Sequence, residues 1–421
     1  MIVTPLRIDH VNLEIPAPPS KSYTHRALIT AALGSGKTTI LNPLDAEDTR
    51  LTIHALMALG VPIDVTSDRI IIEGCNGTFP ARTAVSLDLD NSGTSLRLLT
   101  SLALLCSHPV ILTGSPRMQE RPIGPLADAL CAIGGSVQFL KNGGYPPVKV
   151  QGRLIGGHVT IDGSMSSQFI SSILLAAPYA EREVELVLPA PPASQSYLDI
   201  TLDVMEKFGA RVSRQGYQKF TVSNRDHYAG RTYAIEGDYS SASYFLALAA
   251  ICGGRATVTG LAPDSVQGDR RFVDALRQMG CTVTYGSNSV TIERTGTLTG
   301  IRFDMSTSPD TVQTLCMVAA VAGTPTTITG ISHLKFKESD RISSTAERLR
   351  LLGGDVQVSE DSITIRPALL HGGSIDPAND HRTAMSFAVL GCGIGGITIQ
   401  NAECVDKSFP GFWEQLSGVV P

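Results

Sequence analysis

Residues 91–105 read Asn91-Ser92-Gly93-Thr94-Ser95 and then LRLLTSLALL. A cluster of small polar residues runs straight into an apolar helical stretch. The same pattern recurs along the chain. Ser20-Lys21-Ser22 leads into RALITAAL, Ser164-Met165-Ser166-Ser167 into QFISSILLAA, and Asp238-Tyr239-Ser240-Ser241 into SYFLALAAI. Asp310-Thr311 leads into LCMVAAVAG, and Asp380-His381-Arg382-Thr383 into AMSFAVLG. The anchors at 20, 91, 164, 238, 310 and 380 are separated by 71, 73, 74, 72 and 70 residues. So regular a period implies one supersecondary unit copied six times. Each polar head stands where a helix begins. A helix start presents unpaired N–H groups and the positive end of a dipole. Six such starts brought together would form a cleft that favours anions.

Each period holds more than its headed helix. TTILNPL reads as a strand, EDTRLTIHALMALG as an amphipathic helix ending at Gly60, and VPIDVTSDRIIIEG as a hairpin. RATVTGL, RRFVDALRQMG and CTVTYGSNSVTIE repeat that order in the fourth period. PTTITGI, AERLRLLGG and DVQVSEDSITIRP repeat it in the fifth. The unit is therefore βαβαββ, and the class α/β (α+β). Three units in each of two domains is the natural partition, with a boundary before the fourth copy near 234–237. A second crossing is expected at PAPPS, residues 16–20, where three prolines stiffen the chain. The expected domains are then 21–235, and 1–20 with 236–421.

The bulk numbers limit the function classes. The chain has 421 residues, 43% hydrophobic and 17% charged, enough for two large cores. No run of 18 apolar residues occurs, so a membrane span is not expected. MIVTPLRIDHVNLEIP alternates like a strand and lacks the continuous apolar core of a secretory signal. The eight cysteines are scattered without a C-x-x-C pair, as expected of reduced thiols in a cytoplasmic protein. A net charge of −5 argues against nucleic acid as a partner but not against small anions. The nine histidines show no ligand spacing, so no metal is expected. Gly34-Ser35-Gly36-Lys37-Thr38 and Gly391-x-Gly393-x-x-Gly396 imitate nucleotide loops. Both follow a helix and open onto a strand, the reverse of what such loops need.

Several residues could carry chemistry. Lys21, Ser22 and Arg26 are either a capped helix start with solvated bases or an anion receptor. Asn91, Gly93 and Thr94 put a glycine where a ligand could touch backbone, or simply cap a helix. Arg117, Glu120 and Arg121 lie in TGSPRMQERPIG, where an Arg fixed by Pro122 makes a good carboxylate fork. Ser166, Ser167 and Gln168 offer two hydroxyls and an amide. In KFKESDR, Ser339 or Asp340 can cap the next helix with Lys335 and Lys337 in water. If the six heads converge, Asp310, Glu338, Lys21 and His381 share a cleft lined with Arg341 and Arg382. Lys407 would add a base at the rim. Such a site suits an enzyme acting on phosphorylated, carboxylated metabolites without a nucleophile.

The motifs PSKSYTHRALI, LDNSGTSLRLL, SPRMQERPIG, SMSSQF, EGDYSSASYFLA, QGDRRFVDAL, KESDRI, DHRTAMSFA and DKSFPGFW, in this order from about residue 16 to 413, resemble the 5-enolpyruvylshikimate-3-phosphate synthase family. The resemblance implies two inside-out α/β barrels, each of three βαβαββ repeats. It implies transfer of the enolpyruvyl group of phosphoenolpyruvate to the 5-hydroxyl of 3-phosphoshikimate, with release of phosphate. No cofactor is implied, and a monomer is expected.

Residue by residue, Ser22, Arg26, Ser166, Ser167, Ser194, Tyr197 and Lys337 match contacts to 3-phosphoshikimate. Lys21 and Gln168 match positions touching both substrates. Gly93, Arg121, Arg341, Arg382 and Lys407 match phosphoenolpyruvate contacts, flanked by Asn91, Thr94 and His381. Asp310 matches the group that takes the 5-hydroxyl proton. Glu338, assisted by Lys21, matches the donor to the methylene carbon. His333 stands where bacterial members often carry Asn, as a further 3-phosphoshikimate contact. Gly93 matches the position beside the inhibitor glyphosate in sensitive members, which implies sensitivity. The sister transferase acting on UDP-N-acetylglucosamine is disfavoured, because residues 115–120 lack its cysteine. An RNA 3′-phosphate cyclase would need a nucleophilic His and a basic path. A non-catalytic metabolite-binding protein is the remaining alternative.

Overall fold

The computed structural model describes residues 1–419. Its contacts divide the chain into two compact units. One is Pro19–Ile235; the other is Met1–Pro18 together with the chain from Glu236 onward. Each has its own apolar core. The class is mixed α/β.

In the 19–235 unit, three sheets repeat one pattern. Thr232–Ala234 pairs in parallel with Ser35–Leu41, which pairs antiparallel with Arg69–Cys75 and then Ile63–Val65. Val85–Asp88, Val110–Thr113, Val148–Gly152 and Gly135–Phe139 repeat the order. So do Gly157–Thr160, Val184–Val187, Lys219–Val222 and Val212–Gln215. The first strand of the first sheet thus comes from the far end of the unit. The three headed helices Lys21–Leu33, Gly93–Leu102 and Ser167–Ala176 are buried over nearly their whole length. A helix apolar on every face belongs in a core, not on a surface.

The other unit repeats the pattern twice. Val11–Pro16 pairs in parallel with Gly254–Thr259, followed by Ser289–Arg294 and Thr282–Tyr285. Arg302–Asp304, Thr326–Thr329, Ser362–Arg366 and Asp355–Val358 form the second copy. The third sheet is cut to Gly373–Ile375 beside Ile397–Ile399. The chain then turns through Ala402–Lys407 into the helix Phe412–Gly418 rather than a hairpin. Every residue of the helix Tyr239–Cys252 is buried, and His381–Ile394 is buried for its first twelve residues.

The N-terminal strand is shorter than its alternation suggests. Only Val11–Pro16 is a strand, and Val3 makes an isolated bridge to Ile399. Pro5 has no N–H to give a ladder, and Arg7 and Asp9 are exposed.

Candidate active site

The polar heads sit at helix starts, but they cap in different ways. Ser92, Ser166, Asp238 and Asp380 accept backbone N–H groups as N-caps. Ser20 and Thr311 make no such bond. At 310 the head is a short 3-10 turn, Pro309–Thr311, ahead of the helix Val312–Ala320.

In the 19–235 unit the candidate residues form linked groups. Arg26 is 2% exposed. Its hydrogen bonds go to neutral oxygens: Thr201 Oγ1 at 2.7 Å, Ser22 O at 3.0 Å, Tyr197 O at 3.1 Å and Ser171 Oγ at 3.4 Å. Burial lowers its pKa to about 10, which still leaves it charged at neutral pH. Lys21 pairs with buried Asp48 at 3.0 Å. Arg121, also buried, donates to the carbonyl of Asn91 at 3.2 Å. Gly93 faces the same guanidinium: a Cβ there would lie 2.6 Å from Arg121 Nη2. Gln168 donates to Thr94 Oγ1 at 2.9 Å and accepts from Arg97 Nη1 at 2.8 Å. Arg97 also reaches Ser166 Oγ at 3.5 Å and Pro122 O at 3.3 Å, so one guanidinium ties the second and third heads to the Arg121 loop. Ser167 opens its helix and is buried. Ser194 is buried with φ +55°, a left-handed conformation that costs energy for a residue with a Cβ. Its carbonyl accepts the N–H of Tyr197 at 3.1 Å.

The other unit gathers carboxylates around two arginines. Arg341, 2% exposed, donates to Asp310 Oδ1, Glu338 Oε2 and Asp380 Oδ2, each at 2.9 Å. Burial alone would lower its pKa, but Asp380, Glu338 and Asp310 override that and raise it. Arg382 Nη2 binds the second oxygen of Asp310 at 2.8 Å. Asp310 is therefore gripped by two guanidinium groups, with 18% of its side chain exposed. Asp380, fully buried, also accepts from Ser339 Oγ at 2.9 Å and caps the helix beginning at His381. Asp340 caps the helix Arg341–Leu351, as the sequence allowed. His381 is buried, with Nδ1 4.0 Å from Asp380 Oδ1. Lys337 follows the short turn Ser332–Phe336, and buried Lys407 closes the turn Ala402–Lys407.

His333 lies in that 332–336 turn, 7% exposed. Its Nε2 is buried and makes no hydrogen bond among the described residues. Burial, with help from the Lys337 charge, pushes its pKa down to about 3, so the imidazole is neutral. Because the folded value lies below the unfolded one, stability is full above about pH 6.5 and is lost as pH falls toward 3. The loss from this one group is about 3 kcal/mol by pH 4. A His333→Gln variant should therefore lose stability less steeply than the parent between pH 6.5 and 4 in urea titrations. Parallel curves would contradict the assignment.

Sequence reasoning missed Asp48, Arg97 and Asp380 as site-building groups. Arg97 carried a signal, since a lone arginine in an apolar helical run must find partners once buried. Asp380 was visible as a head but not as the anchor of Arg341. Asp48 sits in the first turn of a helix, where an acidic residue is expected in any case.

The chain was compared with known proteins. A family model described as EPSP synthase (3-phosphoshikimate 1-carboxyvinyltransferase) matches residues 6–416. A protein of Methanoregula boonei named 3-phosphoshikimate 1-carboxyvinyltransferase is 66% identical, covering 100% of both chains. One of the same name from Methanoculleus marisnigri is 63% identical over 99% of each. The solved EPSP synthase of Acinetobacter baumannii superposes with a TM-score of 0.83 at 28% identity, covering 99% of this chain and 98% of its own. These matches make the chain an enzyme of the transferase class. It belongs to the EPSP synthase family.

Proposed function

We propose that this chain transfers the enolpyruvyl group of phosphoenolpyruvate to the 5-hydroxyl of 3-phosphoshikimate and releases phosphate. The observation that carries the reading is the double grip of Arg341 and Arg382 on Asp310, at positions matching the family's motifs. Glu338, or Lys21, protonates the methylene carbon of phosphoenolpyruvate. The 5-hydroxyl attacks C2 while Asp310 takes its proton, giving a tetrahedral ketal phosphate. The C2–O bond to phosphate then breaks, and a methyl proton returns to the group that donated it, which restores the vinyl group. No covalent bond to the enzyme forms, so a nucleophile is not needed.

Arg121, Arg341, Arg382 and Lys407 would hold the phosphate and carboxylate of phosphoenolpyruvate, beside Asn91, Gly93, Thr94 and His381. Lys21, Ser22, Arg26, Ser166, Ser167, Gln168, Ser194, Tyr197, His333 and Lys337 would hold 3-phosphoshikimate. Buried Arg26, bonded to neutral oxygens, would gain a charge partner from an anionic ligand. We also assign two inside-out barrel domains, 21–235 with three βαβαββ repeats and 1–20 with 236–421 with two such repeats and a shortened third, joined by two hinge strands. A monomer in the cytoplasm is the matching expectation. A coupled phosphate-release assay tests the function: release that needs both substrates supports it, and no release contradicts it.

Gly93→Ala gives a sharper test of the phosphoenolpyruvate side. The added carbon would sit 2.6–2.8 Å from three atoms of the Arg121 guanidinium, which is buried and tied to Asn91. The guanidinium must move. The KM for phosphoenolpyruvate should rise about tenfold, the loss of one charge-assisted hydrogen bond. Inhibition by glyphosate should weaken in parallel. Unchanged values for both would rule out this packing as the cause.

A further inference from the structure

The fourth polar head has no place among the substrate contacts above, yet its Ser240 faces Arg382, one of the arginines assigned to phosphoenolpyruvate. Ser240 is 3% exposed, in the first turn of the helix Tyr239–Cys252. Its hydroxyl proton is committed to Asp238 Oδ1 at 3.0 Å. Its lone pair is therefore left to accept, and Arg382 Nη2 donates to it at 3.1 Å. Tyr244, one helical turn on, accepts from Arg382 Nη1 at 3.4 Å. Residues four apart lie on one helix face, so the two oxygens meet one guanidinium from the same side. The Nη2 that touches Ser240 is also the one that binds Asp310, at 2.8 Å.

The backing is rigid. Asp238 is buried and receives a second hydroxyl, Ser241 Oγ, at 3.1 Å. The backbone N–H of Tyr239 is held by Gln267 Oε1 at 3.1 Å. The Tyr244 ring packs edge-on against Phe412, with centroids 5.6 Å apart. A long, mobile side chain such as arginine loses much rotamer freedom when held, and a preformed cradle removes that cost from the ligand-binding step.

We infer that Ser240 and Tyr244 are positioning residues that aim Arg382, and that the fourth head thereby serves phosphoenolpyruvate binding rather than packing alone. The inference rests on Arg382 being a phosphoenolpyruvate receptor. Neither residue needs to touch substrate. Freed from the cradle, Arg382 would keep its charge but sample other rotamers, so affinity for the anion it serves should fall. Binding of 3-phosphoshikimate should not.

The test is steady-state phosphate release by the full chain, varying each substrate in turn. Ser240→Ala, Tyr244→Phe and the double variant are compared with the parent. Tyr244→Phe removes one oxygen and keeps the ring against Phe412, so folding is preserved. Each single variant should raise the KM for phosphoenolpyruvate about three- to tenfold, and the double variant further, as expected for the net contribution of one hydrogen bond each. The KM for 3-phosphoshikimate should stay within twofold. Values for phosphoenolpyruvate within twofold of the parent in all three variants would overturn the inference. So would a rise in both KM values that tracks a loss of thermal stability. A parent enzyme that releases no phosphate from the pair would instead sink the proposed function itself.

Discussion

Asp310→Asn is expected to lower kcat by about 10²- to 10⁴-fold, the range spanned by a positioned general base. The amide has the shape of the carboxylate and keeps one acceptor oxygen, but it cannot take the proton of the 5-hydroxyl. Binding should behave in the opposite way. In the structure Asp310 engages Arg341 at 2.9 Å and Arg382 at 2.8 Å. If Arg341 and Arg382 hold phosphoenolpyruvate as proposed, the arriving substrate must compete with that carboxylate for both guanidinium groups. The variant removes the competitor, so phosphoenolpyruvate should bind as tightly as before or more tightly while turnover collapses. Equilibrium titration alongside single-turnover kinetics checks both halves. A kcat within tenfold of the parent would remove Asp310 as the base.

Arg341→Leu is the second large effect, and it falls on stability as well as activity. Arg341 serves three carboxylates, and one of them, Asp380, is fully buried. Removing the guanidinium leaves that buried charge with Ser339 Oγ and the backbone N–H of Arg382 as its remaining neutral donors. Breaking a buried ion pair from one side costs about 3–5 kcal/mol, because the partner charge stays behind. Arg341→Lys should recover only part of this, since an ammonium cannot fork across three acceptors as a guanidinium does. Urea unfolding of both variants gives the free energies. A loss below about 1 kcal/mol for the Leu variant would mean that Asp380 finds other partners.

Much of this was legible in the sequence because of the period. Six heads about 70 residues apart marked the helix starts, and the structure places helices or short turns at all of them. The hairpins of the fourth and fifth periods fell where strict alternation placed them. Side-chain partnerships were less legible. Nothing in EDTRLTI distinguishes Asp48, paired with Lys21, from a residue that merely complements the helix dipole. The role of Asp380 depends on Arg341, thirty-nine positions earlier, and such pairing is set by tertiary packing rather than local pattern. The fourth head matched none of the substrate contacts that the family resemblance implied. Only the position of Arg382, from the sixth head, shows what Ser240 and Tyr244 face.

Phosphorus and proton NMR of one reaction mixture follows the proposed transfer itself. Phosphoenolpyruvate and 3-phosphoshikimate are incubated with the full chain. The phosphoenolpyruvate signal should disappear as inorganic phosphate appears in equal amount. The 3-phosphate resonance should persist, and new vinyl protons should arise from an enol ether at the 5-oxygen. Loss of the 3-phosphate, release of phosphate from phosphoenolpyruvate alone, or no change with both substrates present would contradict it.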